Sequence, residues 1–314
     1  MLQCGGFLIN RWIFKMYTKP SLCFNDQAKL LISRGLIADQ KELENFLCNV
    51  NYYRFTGYLY PFRDKGTDFF IPGTTFQFIK DIYQFDMELR LFTLSCIEII
   101  EVSILRTKMV EMFSLAYGPF CYSEQANFDP ALLTDQHQDM LRKIEDNINN
   151  SKEEFINLYR SKYYQEQYLP FWMVAEASTF GSLSTIYKYL PPNVKTPLAK
   201  HFNLHSRDLT SWLHTLSNIR NICAHHSRLW NRILPVRPII PIDKYHPEFY
   251  SPSRVHNDSY FIILGILNYL LERINPAKAP INSFIDLVKK YPSIPSNKMG
   301  FPVNWQDYRI MGFK

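Results

Sequence analysis

The sequence predicts an all-α protein, and three observations carry that reading. Apolar residues recur at helical spacing, Gly and Pro punctuate the segments between, and no stretch alternates apolar and polar residues long enough to build a sheet. Of 314 residues, 46% are hydrophobic and 16% aromatic, which supports a substantial core and excludes a disordered chain. Asp26 to Arg34 reads as a short helix closed by Gly35, a residue suited to a left-handed C-cap. Asp39 with Glu42 three positions on has the pattern of a cap and opens a second helix through about Val50. The aromatic run Asn51 to Phe62 is expected as a tyrosine-rich loop packed between helices, rather than as a platform for stacking bases.

Thr74 and Gln77 have the spacing of a capping box and start the longest helical stretch, which ends near Gly118-Pro119. Its length exceeds what one globular helix needs, so a bend or break within it is expected. Leu132 to Tyr164 reads as one or two polar helices, with Glu145 to Glu154 exposed. Phe171 to Leu190 gives a helix bent or interrupted near Gly181 and ended by Pro191-Pro192, and a short helix covers Thr196 to Phe202. Ser206 to Trp230 follows as a helix with Ser206 as its cap and Asp208 near its positive end. Pro235, Pro238, Pro241, Pro247 and Pro252 then mark an irregular crossing, followed by helices over Tyr260 to Arg273 and Ile281 to Lys290. The Pro-rich tail is expected to pack its aromatics back onto the body. The organisation expected is an N-terminal extension over 1–18 and one helical domain over 19–314, with a division into two lobes left open.

A net charge of +6 permits an anionic partner without identifying one, because Lys and Arg are scattered and any basic groove must be assembled by folding. The six cysteines form no CxxC pair and sit among apolar neighbours, as buried free thiols of a cytoplasmic protein do. Asn10, Arg11 and Lys15 interrupt the apolar N-terminus, which argues against a secretion signal, and Met16 is an alternative start. No segment has the apolar length of a membrane span. HExxH, Walker-type, GxGxxG and GxSxG patterns are absent, so neither a metal nor a cofactor is expected.

Chemistry concentrates in Arg220-Asn221-Ile222-Cys223-Ala224-His225-His226. Leu209, Trp212, Leu213, Leu216, Ile219 and Cys223 fall on one helical stripe, while His214, Asn218, Asn221 and His225 share the opposite face. Histidine takes and returns a proton near neutrality, and arginine offers a planar fork for phosphate oxygens. The pair Arg220 and His225 therefore suits metal-independent cleavage of a phosphodiester through a ribose 2′-hydroxyl. Five residues of ideal helix set the two apart by about 140° and roughly 7.5 Å of rise. Either Arg220 sweeps round, or two copies face each other in a homodimer and build one composite site. His226, on the flank of the apolar stripe, is read as structural or as a substrate contact. Glu98, Glu101 and Arg106 lie among isoleucines, where a carboxylate needs a partner. Glu101, or Glu98, is expected to pair with Arg106 or Arg220 in an orienting role, and Glu176 is a further supporting candidate.

The string RNICAHHSRLWN resembles the HEPN signature, and the chain resembles the Abi-like (abortive infection) family of bacterial phage-defence proteins. Asn51-Tyr52-Tyr53-Arg54-Phe55, Phe85-Asp86 with Leu89-Arg90, Leu105-Arg106-Thr107, Pro170 with Trp172, Glu176 with Phe180-Gly181 and Gly300-Phe301-Pro302 extend the likeness from about residue 19 to near the C-terminus. Met87 stands where the family usually carries a basic residue. The resemblance implies a HEPN-type helical bundle with additional helices and an irregular Pro-rich C-terminal region. It also implies a cytoplasmic endoribonuclease of phage defence, catalysed by Arg220 and His225, with RNA as substrate and a structured non-coding RNA as partner in some relatives. The other reading it leaves open is a non-catalytic RNA-binding scaffold on the same fold.

Overall fold

A computed structural model describes residues 20–276 and 280–312, and the N-terminal extension with its cysteine Cys4 lies outside them. Helices account for the regular structure; among the described residues the only β pairing is two isolated bridges, Ile37 with Thr75 and Arg63 with Phe70. The chain divides into two units, one ending at Lys80 and one beginning at Asp81.

In the first unit, α1 (Phe24–Ser33) ends as its sequence indicates. Gly35 takes φ +94°, its amide donates to the Ile32 carbonyl, and the Leu36 amide donates back to Leu31. That pair of bonds is a Schellman motif, and glycine supplies the left-handed residue at little steric cost. α2 (Gln40–Leu47) is capped by Asp39, whose carboxylate accepts from the Glu42 amide at 2.8 Å. The aromatic run is not a loop: Tyr52–Leu59 forms α3, followed by a 3₁₀ turn at Tyr60–Phe62. Asn51 caps it by accepting from the Tyr53 amide (2.8 Å), and Phe55, Tyr58 and Leu59 fall together on its buried side. Packing of that face outweighs the weak helix propensity of Gly57 and the tyrosines.

The longest helical stretch starts as α4 (Phe76–Ile100), with Thr75, one residue after the expected cap, accepting from the Phe78 amide. It continues as a π-helical segment over Glu101–Met109 and then α5 (Val110–Tyr117), stopped at Gly118 with φ +86°. The expected break is thus a change of helical pitch, which matters for the charges it carries.

In the second unit, α6 (Thr134–Asn150) and α7 (Glu154–Lys162) are separate helices. The interruption expected near Gly181 falls at Ser178-Thr179 and separates α8 (Phe171–Ala177) from α9 (Phe180–Tyr189), because Thr179 caps a new start by accepting from the Ser182 amide. Pro191-Pro192 does not only end α9; it opens α10 (Pro192–His201), where a missing amide proton costs nothing. α11 (Ser206–Ala224) packs on α9 and α10. α12 (Tyr260–Ile274) is buried all round from Tyr260 to Leu271 and forms the centre of this unit's core. The tyrosine hydroxyl of Tyr260 meets Thr93 of α4 at 2.8 Å. α13 (Ile281–Lys290) and the Pro-rich tail close over it, with Phe284 stacked on Phe301 at 5.3 Å and Ile310 filling the space that a side chain at Gly265 would take.

Among the described residues no helix is long and apolar enough to cross a membrane, and no His, Cys, Asp and Glu cluster is arranged to hold a metal ion. Cys96, Cys121 and Cys223 are buried free thiols, each pushed up to about 12 by burial. Cys23 and Cys48, expected to be buried, are exposed.

Candidate active site

The helix carrying the Arg and His residues starts and stops differently from its sequence reading. His205, not Ser206, caps α11, its ring Nδ1 accepting from the Arg207 amide at 3.3 Å. At the other end α11 stops at Ala224, well short of Trp230. His225 is the C-cap, and His226 turns into the left-handed region with φ +55°. The His226 amide donates to Cys223 (3.0 Å) and the Ser227 amide donates to Ile222 (2.9 Å). This is the Schellman motif of α1 again, with histidine where α1 has glycine. A Cβ in that conformation costs about 1–2 kcal/mol. His226→Gly is therefore expected to be about 1 kcal/mol more stable than His226→Ala, both having lost the ring, in paired denaturant titrations. Equal midpoints for the two would remove the strain.

Because the helix ends at Ala224, helical-face arithmetic does not place His226, and it does not sit on the apolar stripe beside Cys223. Arg220 and Asn221 are still helical. Arg220 Nη1 donates to Asn221 Oδ1 at 3.3 Å, which draws the guanidinium toward the face Asn221 occupies. Asn221 and His225 are exposed, one turn apart, and Arg220 is half-buried. That bond turns the arginine toward its neighbour on the polar face. Arginine, asparagine and histidine present a donor fork, an amide and an imidazole at one end of one helix.

What holds that end is Asp86 of α4. Its carboxylate is fully buried and accepts from the Trp230 amide at 2.6 Å and the Leu229 amide at 3.1 Å, while Arg90 one turn on pairs with its second oxygen. Two backbone amides and one guanidinium offset the desolvation of a charge that could not otherwise be buried. Asp86 and Arg90 therefore pin the chain just past His226. They were visible in sequence only as part of the family resemblance, since nothing local couples Asp86 to a loop 143 positions away.

The carboxylates expected to support the site lie apart in role. Arg106 Nε and Nη2 donate to Glu101 Oε1 at 3.1 and 2.6 Å, so Glu101 is paired with Arg106 and not with Arg220. The π segment explains the spacing, because its i→i+5 repeat brings residues five apart into register. Arg106 also donates to the carbonyls of Ala175, Glu176 (3.0 Å) and Ser178 (2.9 Å), capping the end of α8. Glu176 contributes that carbonyl and a looser ion pair at 3.8 Å, its side chain largely in solvent. Glu98 is exposed. The structure joins Arg220 to Asn221, leaves His225 exposed at the same helix end with His226 in the turn after it, and sets Glu101, Arg106 and Glu176 into a separate link between the π segment and α8.

The model of the Abi-like protein family matches residues 45–231, more than half of the chain. The chain belongs to the Abi-like family. In this Abi-like protein the matched region holds the Asp86–Arg90 pin, the Glu101–Arg106 link and the whole Arg220–His226 helix end. α12, α13 and the tail lie beyond it. No curated protein and no solved structure matches this Abi-like protein.

Proposed function

We propose that this Abi-like protein is a metal-independent endoribonuclease of HEPN type acting in phage defence. The observation that supports it most is the end of α11: Arg220 is drawn onto the Asn221 face, and His225 stands exposed one turn on. His225 takes the proton from a ribose 2′-hydroxyl, and the freed oxygen attacks the adjacent phosphorus. The bond to the 5′-oxygen breaks and a proton returns to that oxygen, leaving a 2′,3′-cyclic phosphate and a 5′-hydroxyl. Arg220 holds the phosphate oxygens as charge builds on them, with Asn221 keeping the guanidinium aimed. The reading includes a homodimer in which two α11 ends face one RNA and share the proton-transfer work.

The products test the reading. Purified protein in EDTA is expected to cut RNA to cyclic-phosphate ends and to leave untouched a strand with a single 2′-deoxy nucleotide at the scissile position. Cutting of the deoxy position would exclude the 2′-hydroxyl as nucleophile. Tight RNA binding with no cleavage by the intact protein would favour a binding scaffold instead.

A further inference from the structure

Away from the Arg220–His225 end, an open groove of about 1,030 Å³ lies between α6, α9 and α11. Its α11 wall carries Arg207, Ser211, His214 and Ser217. These positions lie on the helical face that continues to Asn221 and His225, at steps of three and four residues. From Arg207 to Ser217 the helix rises about 15 Å, the span of about four stacked nucleotides. From Ser217 to Asn221 is one further turn.

The lining has one net sign. Lys143, Lys188, Lys195 and Arg207 face it, against Asp129 and Asp139. Asp129 accepts from the Ala131 amide at 2.9 Å and offsets Lys195, Asp139 pairs with Arg142, and Arg207 Nε lies 3.6 Å from the Asp208 carboxylate. Lys195 is half-buried and donates to the Lys188 carbonyl, so it shapes the wall. Lys143, Lys188 and Arg207 are exposed. Between them Thr179, Ser182 and Thr185 of the α9 end add hydroxyls. A small-molecule site is typically enclosed and about 300–1,000 Å³. This one is at the upper limit and open, and its lining runs along α11 from Ser206 to Ser217. That form fits a strand better than a compact ligand.

We propose that this groove is the track along which single-stranded RNA lies, its phosphates on Lys143, Lys188 and Arg207, before the strand reaches the end of α11. The proposal rests on the ribonuclease reading for its destination but not for its test, which measures binding alone. The probe is a fluorescent 12-nucleotide RNA titrated with the full-length His225→Ala protein across a range of salt. The triple variant Lys143→Gln, Lys188→Gln, Arg207→Gln in that background is expected to bind at least about tenfold more weakly, with the log–log salt slope smaller by about two. All three side chains are exposed, so the fold should survive, as thermal melting will show. Thr185→Glu, one added charge inside the groove, is expected to weaken binding in the same direction. Lys152→Gln, Lys289→Gln, Lys298→Gln removes the same charge outside the groove and should change affinity far less.

An unchanged affinity and slope for the triple variant overturns the track, as does an equal loss in the outside control or an absence of RNA binding by the parent protein. Single-stranded DNA of the same sequence binding as tightly would remove RNA as the occupant, because the hydroxyl wall should favour a strand carrying 2′-hydroxyls. If the groove variants lose RNA while the intact protein never cleaves it, the track stands and the nuclease reading alone falls.

Discussion

His225→Ala is expected to lower RNA cleavage in EDTA by about 10²–10⁴-fold, the usual contribution of a positioned acid or base, while RNA affinity stays near that of the parent. The ring is exposed at the C-cap of α11, and the bonds that fix the helix end run through the backbone, from His225 to Asn221 and from Ser227 to Ile222. Removing the imidazole should therefore leave the fold in place. Arg220→Ala should lose cleavage comparably but also weaken binding, since it removes a phosphate contact. The two variants together decide how the site is built. If each site combines Arg220 of one copy with His225 of another, mixing the inactive variants restores part of the activity through heterodimers. If each chain carries a complete site, the mixture stays inactive. Undiminished cleavage by pure His225→Ala protein would remove this histidine from the mechanism.

Asp86→Ala is expected to cost about 3–5 kcal/mol of stability, because it takes from buried Arg90 the carboxylate it pairs with and from the Leu229 and Trp230 amides their acceptor. For a chain of this size that corresponds to a fall in melting temperature on the order of 10 °C. The loss should be local before it is global. In hydrogen exchange, the Leu229 and Trp230 amides should lose protection first, while α12 stays protected. Asp86→Leu with Arg90→Met removes the charge together with its partner and should recover part of the loss. A melting temperature unchanged by Asp86→Ala would show that the carboxylate does not carry the pin. Cleavage should suffer with it, since the segment that fixes His225 and His226 is no longer held.

These two sites differ in how far they could be read from the sequence. Asn221 and His225 were legible as neighbours because a helix places residues one turn apart on one face, and the periodicity of Leu209 to Cys223 is strong; the turn of Arg220 toward Asn221 was not. Asp39, Gly35 and the break ahead of α9 were legible because caps and left-handed residues act within a few positions. Caps at Thr75 and His205 fell one residue from their expected places, since neighbouring side chains there can accept the same bond. α3 is hidden from local signals because its tyrosines and Gly57 have poor helix propensity, and only the buried Phe55, Tyr58 and Leu59 face overrides that.

The sequence by itself determined an all-helical chain, the identity of the polar face of α11 and most of the starts and stops that depend on local bonds. Only the tertiary structure decided that α11 ends at Ala224 with histidine in a left-handed turn, that Glu101 belongs to Arg106, and that Asp86 holds the loop after the helix. Local signals act over a turn or two of helix, where a side chain can reach its own backbone. Buried charges choose partners by what folding brings within about 3 Å, and that distance has no counterpart along the chain.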